Sequence, residues 1–214
     1  PLRVCIPSIQ HFGKPCDNIL VKPGDLIKTG QMLATAQSGL FSPVHASISG
    51  KVSSILDSAH PSLGKAKTIT IESDGKDEKA YSQPQSDPNI EFLSIQQLRE
   101  KIFAAGIVGM GGAGFPTHVK LNPPNKIEHF VLNGAECEPY LNSDCRLMVE
   151  QADSIIAGAK IILKILGIRE CIVAIEDNKK EAIEVFKRLL PDGFKLRILK
   201  TQYPQGGEKQ LIKS

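Results

Sequence analysis

The sequence predicts an α/β chain in which a small all-β domain precedes a parallel-sheet domain, and three observations carry that prediction. Short apolar strands separated by Pro and Gly turns fill the first third of the chain. From residue 126 onward, strand and helix patterns alternate. Between the two lies a stretch almost free of apolar side chains. Closely spaced short strands imply an all-β unit, and strand-helix-strand-helix-strand order implies a parallel sheet with right-handed crossovers.

The all-β unit is expected at residues 1–72, with strands at 4–7, 18–21, 26–29, 32–36, 50–56 and 68–71. Lys22-Pro23-Gly24-Asp25 places a preset φ and then a permissive residue where the chain reverses. Thr29-Gly30 and Ser49-Gly50 repeat the punctuation. Residues 73–93 read as a polar linker, because Asp, Lys, Ser, Gln and Pro bury too little to offset the entropy of ordering them.

The second domain is expected at residues 94–214. Ile95, Leu98, Ile102 and Phe103 recur at helical spacing up to Gly106, and residues 126–132 read as a buried strand. Ile155, Ile156, Ala159, Ile162, Leu163 and Leu166 form one helical face that Gly167 terminates. A strand at 171–175 follows. Asn178 and Glu181 have capping-box spacing for a helix carrying Ile183, Phe186 and Leu190, and a last strand is read at 196–199.

Composition narrows the function classes. A chain of 214 residues with 41% apolar content supports one sizeable core or two small ones. Its 26 Lys and Arg against 23 Asp and Glu are scattered, which leaves no electrostatic footprint for nucleic acid. Five cysteines without C-x-x-C spacing argue against a disulfide framework and a complete metal site, so no metal ligand is assigned and a reducing compartment is expected. The apolar run at 161–168 is broken by Lys164 and is shorter than the about 20 residues of a membrane span. Membrane association is therefore expected only through partners. Pro1 is not an initiator and a helical pattern is starting at Ser214, so both ends are expected to be cut.

Ligands of open parallel sheets gather beyond the carboxyl ends of the strands. Two polar, glycine-bearing segments leave the first and third strands: Asn133-Gly134-Ala135-Glu136-Cys137-Glu138-Pro139 and Thr201-Gln202-Tyr203-Pro204-Gln205-Gly206-Gly207-Glu208. They are expected on one rim. A third feature is the glycine loop from Gly106 to Pro116, in which Gly109, Gly111 and Gly114 satisfy G-x-G-x-x-G. Its context differs from a dinucleotide fingerprint, since a helix precedes it and Phe115-Pro116 follows. Glycines there let backbone N–H groups approach a phosphate, and Lys120 adds a cation nearby. Glu136 and Glu138 suit sugar or ribityl hydroxyls, a carboxamide or water. The alternative is that they are solvated or cap the helix after Asn142-Ser143-Asp144. Cys137, Cys145, His45 and His118 are read as structural rather than ligating.

Val21-Lys22-Pro23-Gly24-Asp25 through Thr29-Gly30-Gln31, with Val44-His45-Ala46-Ser47-Ile48-Ser49-Gly50-Lys51-Val52, resembles the barrel-sandwich fold of lipoyl and biotinyl carriers. The position of their carrier lysine falls at about Gly39, so a swinging arm is not implied. Gly109-Met110-Gly111-Gly112-Ala113-Gly114-Phe115-Pro116-Thr117-His118-Val119-Lys120 with the segment from Asn133 to Pro139 resembles the flavin-binding core of the NADH-oxidising subunit of respiratory complex I. Within that superfamily the chain is identified as similar to the C-subunit family of Rnf electron-transport complexes. Gln10-His11-Phe12-Gly13, Pro43-Val44-His45-Ala46 and Tyr203-Pro204-Gln205-Gly206-Gly207-Glu208-Lys209-Gln210-Leu211 carry this likeness.

The resemblance implies a Rossmann-like FMN- and NADH-binding domain, here truncated on its C-terminal side, behind a barrel-sandwich hybrid domain. FMN contacts are implied for Gly109, Gly111, Gly112, Gly114, Lys120, Asn133, Glu136, Tyr203, Gly206 and Glu208, and NADH contacts for Phe115, Glu138 and Glu208. It implies hydride transfer from NADH to flavin with no catalytic side chain. Two 4Fe-4S clusters are implied beyond residue 214. The implied partners are the membrane subunits of an Rnf-type complex and ferredoxin or a similar carrier, and the implied location is peripheral, on the cytoplasmic face of the bacterial inner membrane. Two positions depart from the relatives: an aspartate of their second loop is Ala135, and a glutamate of their third loop is Gly207. A docking or assembly subunit that binds no cofactor productively is the alternative.

Overall fold

A computed structural model describes residues 1–81, 90–110 and 114–214. By contacts the chain forms two compact units, Pro1–Asn122 and Pro123–Ser214. This division falls beyond the polar stretch where the sequence puts its linker, because the helix and glycine loop that follow that stretch pack on the first unit.

In the first unit, β1 (Arg3–Pro7), β2 (Asn18–Ile19), β3 (Leu26–Ile27), β4 (Met32–Thr35), β5 (Val44–His45), β6 (Gly50–His60) and β7 (Gly64–Ser73) form two sheets, ordered β1-β7-β6-β3 and β2-β4-β5. All named pairings within them are antiparallel. Alternation puts Ile6, Ile27, Val52, Ile69 and Ile71 of the first sheet against Leu33, Ala34 and Val44 of the second, in one buried core. Every expected strand is present, and β5 was not foreseen because two residues are too few for a period to show. The β6–β7 hairpin runs past the core, where Leu56 and Leu63 are exposed.

Part of the expected linker is ordered on this barrel. Ser73 belongs to β7, Thr29 bridges Lys79, Thr29 Oγ1 donates to Asp77 at 2.7 Å, and Lys28 pairs with Glu78 at 2.6 Å. Polar partners order a segment that has little to bury; residues 82–89 lie outside the described residues.

α1 (Ile95–Ala104) begins at a capping box of Ser94 and Gln97. Its Phe103 packs on the barrel core and meets Phe41 edge-on at 5.6 Å, and His45 Nε2 lies 2.9 Å from the Ala104 carbonyl oxygen. α2 (Thr117–Lys120) closes the unit, with His118 edge-on to Phe103 at 4.8 Å.

The second unit holds β8 (Phe130–Gly134), α3 (Ser143–Glu150), α4 (Ala152–Leu166), β9 (Cys171–Glu176), α5 (Lys180–Leu189), β10 (Phe194–Leu199) and α6 (Glu208–Lys213). Its sheet is parallel, in the order β10-β9-β8. Cys171, Val173 and Ile175 face α3, α4 and α5, where Phe186 is fully buried. Ala174, one step out of phase, faces the opposite side with Val131, Leu199 and Leu211 of α6. The expected capping box at Asn178 does not form: α5 starts at Lys180, with Lys179 at the cap and no side-chain cap bond. The Lys179 side chain pairs instead with Glu136. Among the described residues no helix is long and apolar enough to cross a membrane.

Candidate functional site

The carboxyl ends of the three parallel strands carry the polar segments that the sequence singles out. Asn133 lies exposed near the end of β8, and its amide links two of them: Nδ2 donates to the Gly206 carbonyl at 2.8 Å while Oδ1 accepts from the Ala135 N–H at 3.1 Å. Among the described residues these are its partners, so one amide hydrogen and one lone pair remain on Asn133 for a ligand. A Cβ at Gly206 would collide with the Ala135 carbonyl oxygen and lie 3.0 Å from Cys137 Sγ, so only glycine permits this approach. Asp177, after β9, accepts from Thr201 Oγ1 at 2.6 Å and from Thr201 N–H at 3.1 Å, which fixes the start of the third segment. Those hydrogen bonds hold its pKa below the ordinary carboxylate value.

Beneath this rim lies an ion pair that the sequence reading missed. Lys179 Nζ donates to Glu136 Oε2 at 2.7 Å and to the Leu141 carbonyl at 3.2 Å. Glu136 Oε1 accepts from the Asp144 N–H at the start of α3, and the Glu136 N–H donates to buried Glu176. The Glu136 side chain is 1% exposed, so its carboxylate caps α3 and neutralises Lys179, which is the helix-capping alternative for this residue. The signal was available: Glu176-Asp177-Asn178-Lys179 leaves the second parallel strand, and the carboxyl-end rule applies to it as to the others.

Glu138 and Tyr203 line a cavity of about 240 Å³ together with Glu136, Glu176, Lys179 and Thr201. Tyr203 is 70% exposed. Glu208 opens α6, and Gly207 precedes it as the N-cap residue. A side chain at 207 would first meet Gln210 Oε1, a mobile group, at 2.7 Å. Ala135 is buried against Ala174 and Leu199.

The glycine loop lies in the first unit. Val108 bridges Pro116, Gly109 N–H donates to the Phe115 carbonyl at 2.9 Å, and Gly114 N–H donates to the Gly109 carbonyl at 3.0 Å. The amides of Gly109 and Gly114 therefore close the loop on itself rather than pointing at a phosphate. Gly111 and Gly112, the other expected phosphate contacts, lie outside the described residues. Lys120 is exposed on α2. Phe115 stacks on Phe12 with centroids 5.8 Å apart. Among the described residues His118 Nδ1 is buried without a hydrogen-bond partner, and burial first, then neighbouring His11, lowers the pKa of this ring below 6.5.

In the second unit the donor set fits a flavin nucleotide, with an exposed amide at Asn133 and an exposed phenol at Tyr203; in the first unit Lys120 is an exposed cation. Among the described residues no group of three or more His, Cys, Asp and Glu side chains could hold a metal ion.

Comparison with known proteins gives two family matches. Residues 1–76 match the RnfC barrel sandwich hybrid domain, and residues 102–214 match the Nuo51 FMN-binding domain. The C subunit of a proton-translocating ferredoxin:NAD(+) oxidoreductase complex of Clostridium ljungdahlii is 48% identical over 99% of this chain and 47% of its own length. The C subunit of a Na(+)-translocating ferredoxin:NAD(+) oxidoreductase complex of Acetobacterium woodii is 42% identical over 99% of this chain and 48% of its own. The C subunit of an ion-translocating oxidoreductase complex of Rhodobacter capsulatus is 41% identical over 100% and 42%. The chain thus spans about half the length of these curated relatives. It belongs to the Nuo51 FMN-binding domain family over its second half, carries an RnfC barrel sandwich hybrid domain before it, and falls with the C subunits of Rnf-type ion-translocating complexes.

Proposed function

We infer that this chain supplies the FMN-binding, NADH-oxidising part of an Rnf-type C subunit, on a Rossmann-like sheet. The observation that carries the reading is the Asn133–Gly206 tie, which holds two loops together at the carboxyl rim of a parallel sheet with ligand-capable groups exposed beside it. When bound, FMN supplies the two-electron to one-electron conversion between NADH and iron-sulfur carriers.

The side chains bind and orient rather than react. Lys120 would hold the flavin phosphate, its ammonium offsetting that charge, while Gly109 and Gly114 would shape the loop rather than donate to the phosphate, since their amides are engaged within it. Asn133 and Tyr203 offer hydrogen bonds to the flavin, with Gly206 setting the loop path and Glu208 at the opening of α6. Glu136 would act through its buried pair with Lys179, Glu138 would meet NADH hydroxyls or the carboxamide, and Glu208 and Phe115 are the further NADH contacts that the resemblance implies. Two 4Fe-4S clusters in a longer subunit would supply one-electron carriers for the flavin, with ferredoxin and membrane subunits of the complex as the partners of that exchange. On this reading the protein sits peripherally on the cytoplasmic face of the bacterial inner membrane.

A docking or assembly role is favoured by one pair of observations: Ala135 is buried and position 207 is glycine, two places where the resemblance to complex I relatives implies an acid. An anaerobic FMN titration of the protein and of Lys120→Ala, followed by NADH, separates the two. Saturable binding weakened by about tenfold in Lys120→Ala, with bleaching by NADH, is the expected result for loss of a charge-assisted phosphate contact. A folded protein, tested with the downstream region present, that binds no FMN sinks the enzyme reading.

A further inference from the structure

Phe12 is 58% exposed although it packs on Phe115 at 5.8 Å with 25° between the rings. Its backbone is held from several sides. The Phe12 N–H donates to the Gly114 carbonyl at 3.0 Å, and the Phe12 carbonyl lies 2.9 Å from His11 Nδ1. The other nitrogen of that ring, Nε2, lies 3.0 Å from the Ser42 nitrogen and 2.7 Å from the Ser42 carbonyl oxygen, which anchors His11 to the barrel. Gly114 has φ +58°, and a Cβ there would stand 3.3 Å from His11 Cα and 3.4 Å from the Phe12 nitrogen. Gly114 therefore lets its backbone come close to the His11-Phe12 segment. The result is a fixed aromatic ring whose outer face is left in water, where burial would stabilise it.

Phe12 covers one face of Phe115, so a planar ligand ring joining this pair from that side meets Phe12 first. There is room beside it. Phe12 and Gly114 border a cavity of about 620 Å³, also lined by Gln10, His60 and Leu63. Small-molecule sites usually measure about 300–1,000 Å³.

We propose that Phe12 is a nucleotide-stacking residue whose outer face receives a planar heteroaromatic ring of NADH, extending the Phe12–Phe115 stack. The barrel unit then contributes directly to substrate binding. Offset stacking of a base on an aromatic face needs only a fixed ring and an open side, and Phe12 has both. The nicotinamide and the adenine share this chemistry. The inference rests on the NADH-oxidising reading.

The test titrates NADH, reduced nicotinamide mononucleotide and ADP-ribose into the FMN-loaded protein, as wild type and as Phe12→Leu, Phe12→Tyr and Phe12→Trp. Binding is read by calorimetry. Phe12→Leu is expected to weaken NADH by about tenfold, the scale of one base–aromatic stack, with FMN affinity unchanged and Phe12→Tyr restoring binding. The shorter ligand that weakens in parallel identifies the stacked ring. The chain has no tryptophan, so Phe12→Trp adds a reporter to it whose emission should be quenched with the same midpoint as NADH binding. NADH affinity unchanged in Phe12→Leu, or emission of the introduced indole that ignores bound NADH, overturns the inference alone. No NADH binding by the FMN-loaded wild type overturns the NADH reading and the inference together.

Discussion

The Asn133 carboxamide donates to the Gly206 carbonyl across 2.8 Å, and this contact joins loops that lie far apart in the chain. Because a Cβ at Gly206 would collide with the Ala135 carbonyl oxygen, Gly206→Ala is expected to push the third loop off the second. FMN affinity should fall by about tenfold or more, a loss of at least about 1.4 kcal/mol. Asn133→Ala should weaken FMN with a smaller loss of thermal stability, since Asn133 is exposed. Flavin titration beside thermal unfolding reads both effects. Unchanged FMN affinity in both variants removes the loop tie from the binding site.

Lys179→Met strands a carboxylate whose side chain is 1% exposed. Breaking a buried pair from one side typically costs about 3–5 kcal/mol, and the low end fits here because Asp144 N–H still serves Glu136. Adding Glu136→Gln should return part of the loss, as the charge is then gone. Urea denaturation of the two single variants and the double variant measures the coupling; additive losses contradict a buried pair.

His118 has its pKa lowered from 6.5 by burial and then by His11, and among the described residues its Nδ1 has no hydrogen-bond partner. Below about pH 6.5 the unfolded chain binds more protons than the folded one, so stability falls as pH drops through that value and is fully present above it. His118→Phe, which keeps an aromatic ring against Phe103, should flatten this part of the profile. Denaturation midpoints at neutral pH and near about pH 5 report it, and an unchanged slope in the variant assigns the acid loss to other groups.

Cys16 and Cys171 are fully buried, and burial is the main cause that pushes each thiol up to about 11. Cys5 is exposed. At neutral pH, maleimide should label Cys5 in the folded protein and reach Cys16 and Cys171 only on unfolding, since the thiolate is the nucleophile. Peptide mapping by mass spectrometry scores each site. Labelling of Cys171 at the rate of Cys5 means that the β9 core opens under native conditions.

Much of the architecture was legible because it rests on short-range signals. Ile155, Ile156, Ala159 and Leu163 repeat at helical spacing, and each strand read in the second unit is found, although the first, expected buried at 126–132, lies at Phe130–Gly134 with only Gly134 buried. The carboxyl-end rule located Asn133 and Gly206, which the fold does bring together. Local spacing misled at Asn178 and Glu181, where Lys179 turns to Glu136 and the capping box is not made. It also marked residues 73–81 as solvated, although Asp77 and Glu78 find partners just after β3.

By itself the sequence determined the two kinds of domain, the glycine loop and the polar segments beyond the strands, since periodicity, turn chemistry and composition act over a few neighbouring residues. Only the tertiary structure decided that Glu136 is a buried partner of Lys179, that the Gly109 and Gly114 amides close their own loop, and that Phe12 stands over Phe115. Each of these depends on which distant side chain fills a given space. That choice is made by packing and desolvation across the whole unit, and no local pattern in the chain encodes it.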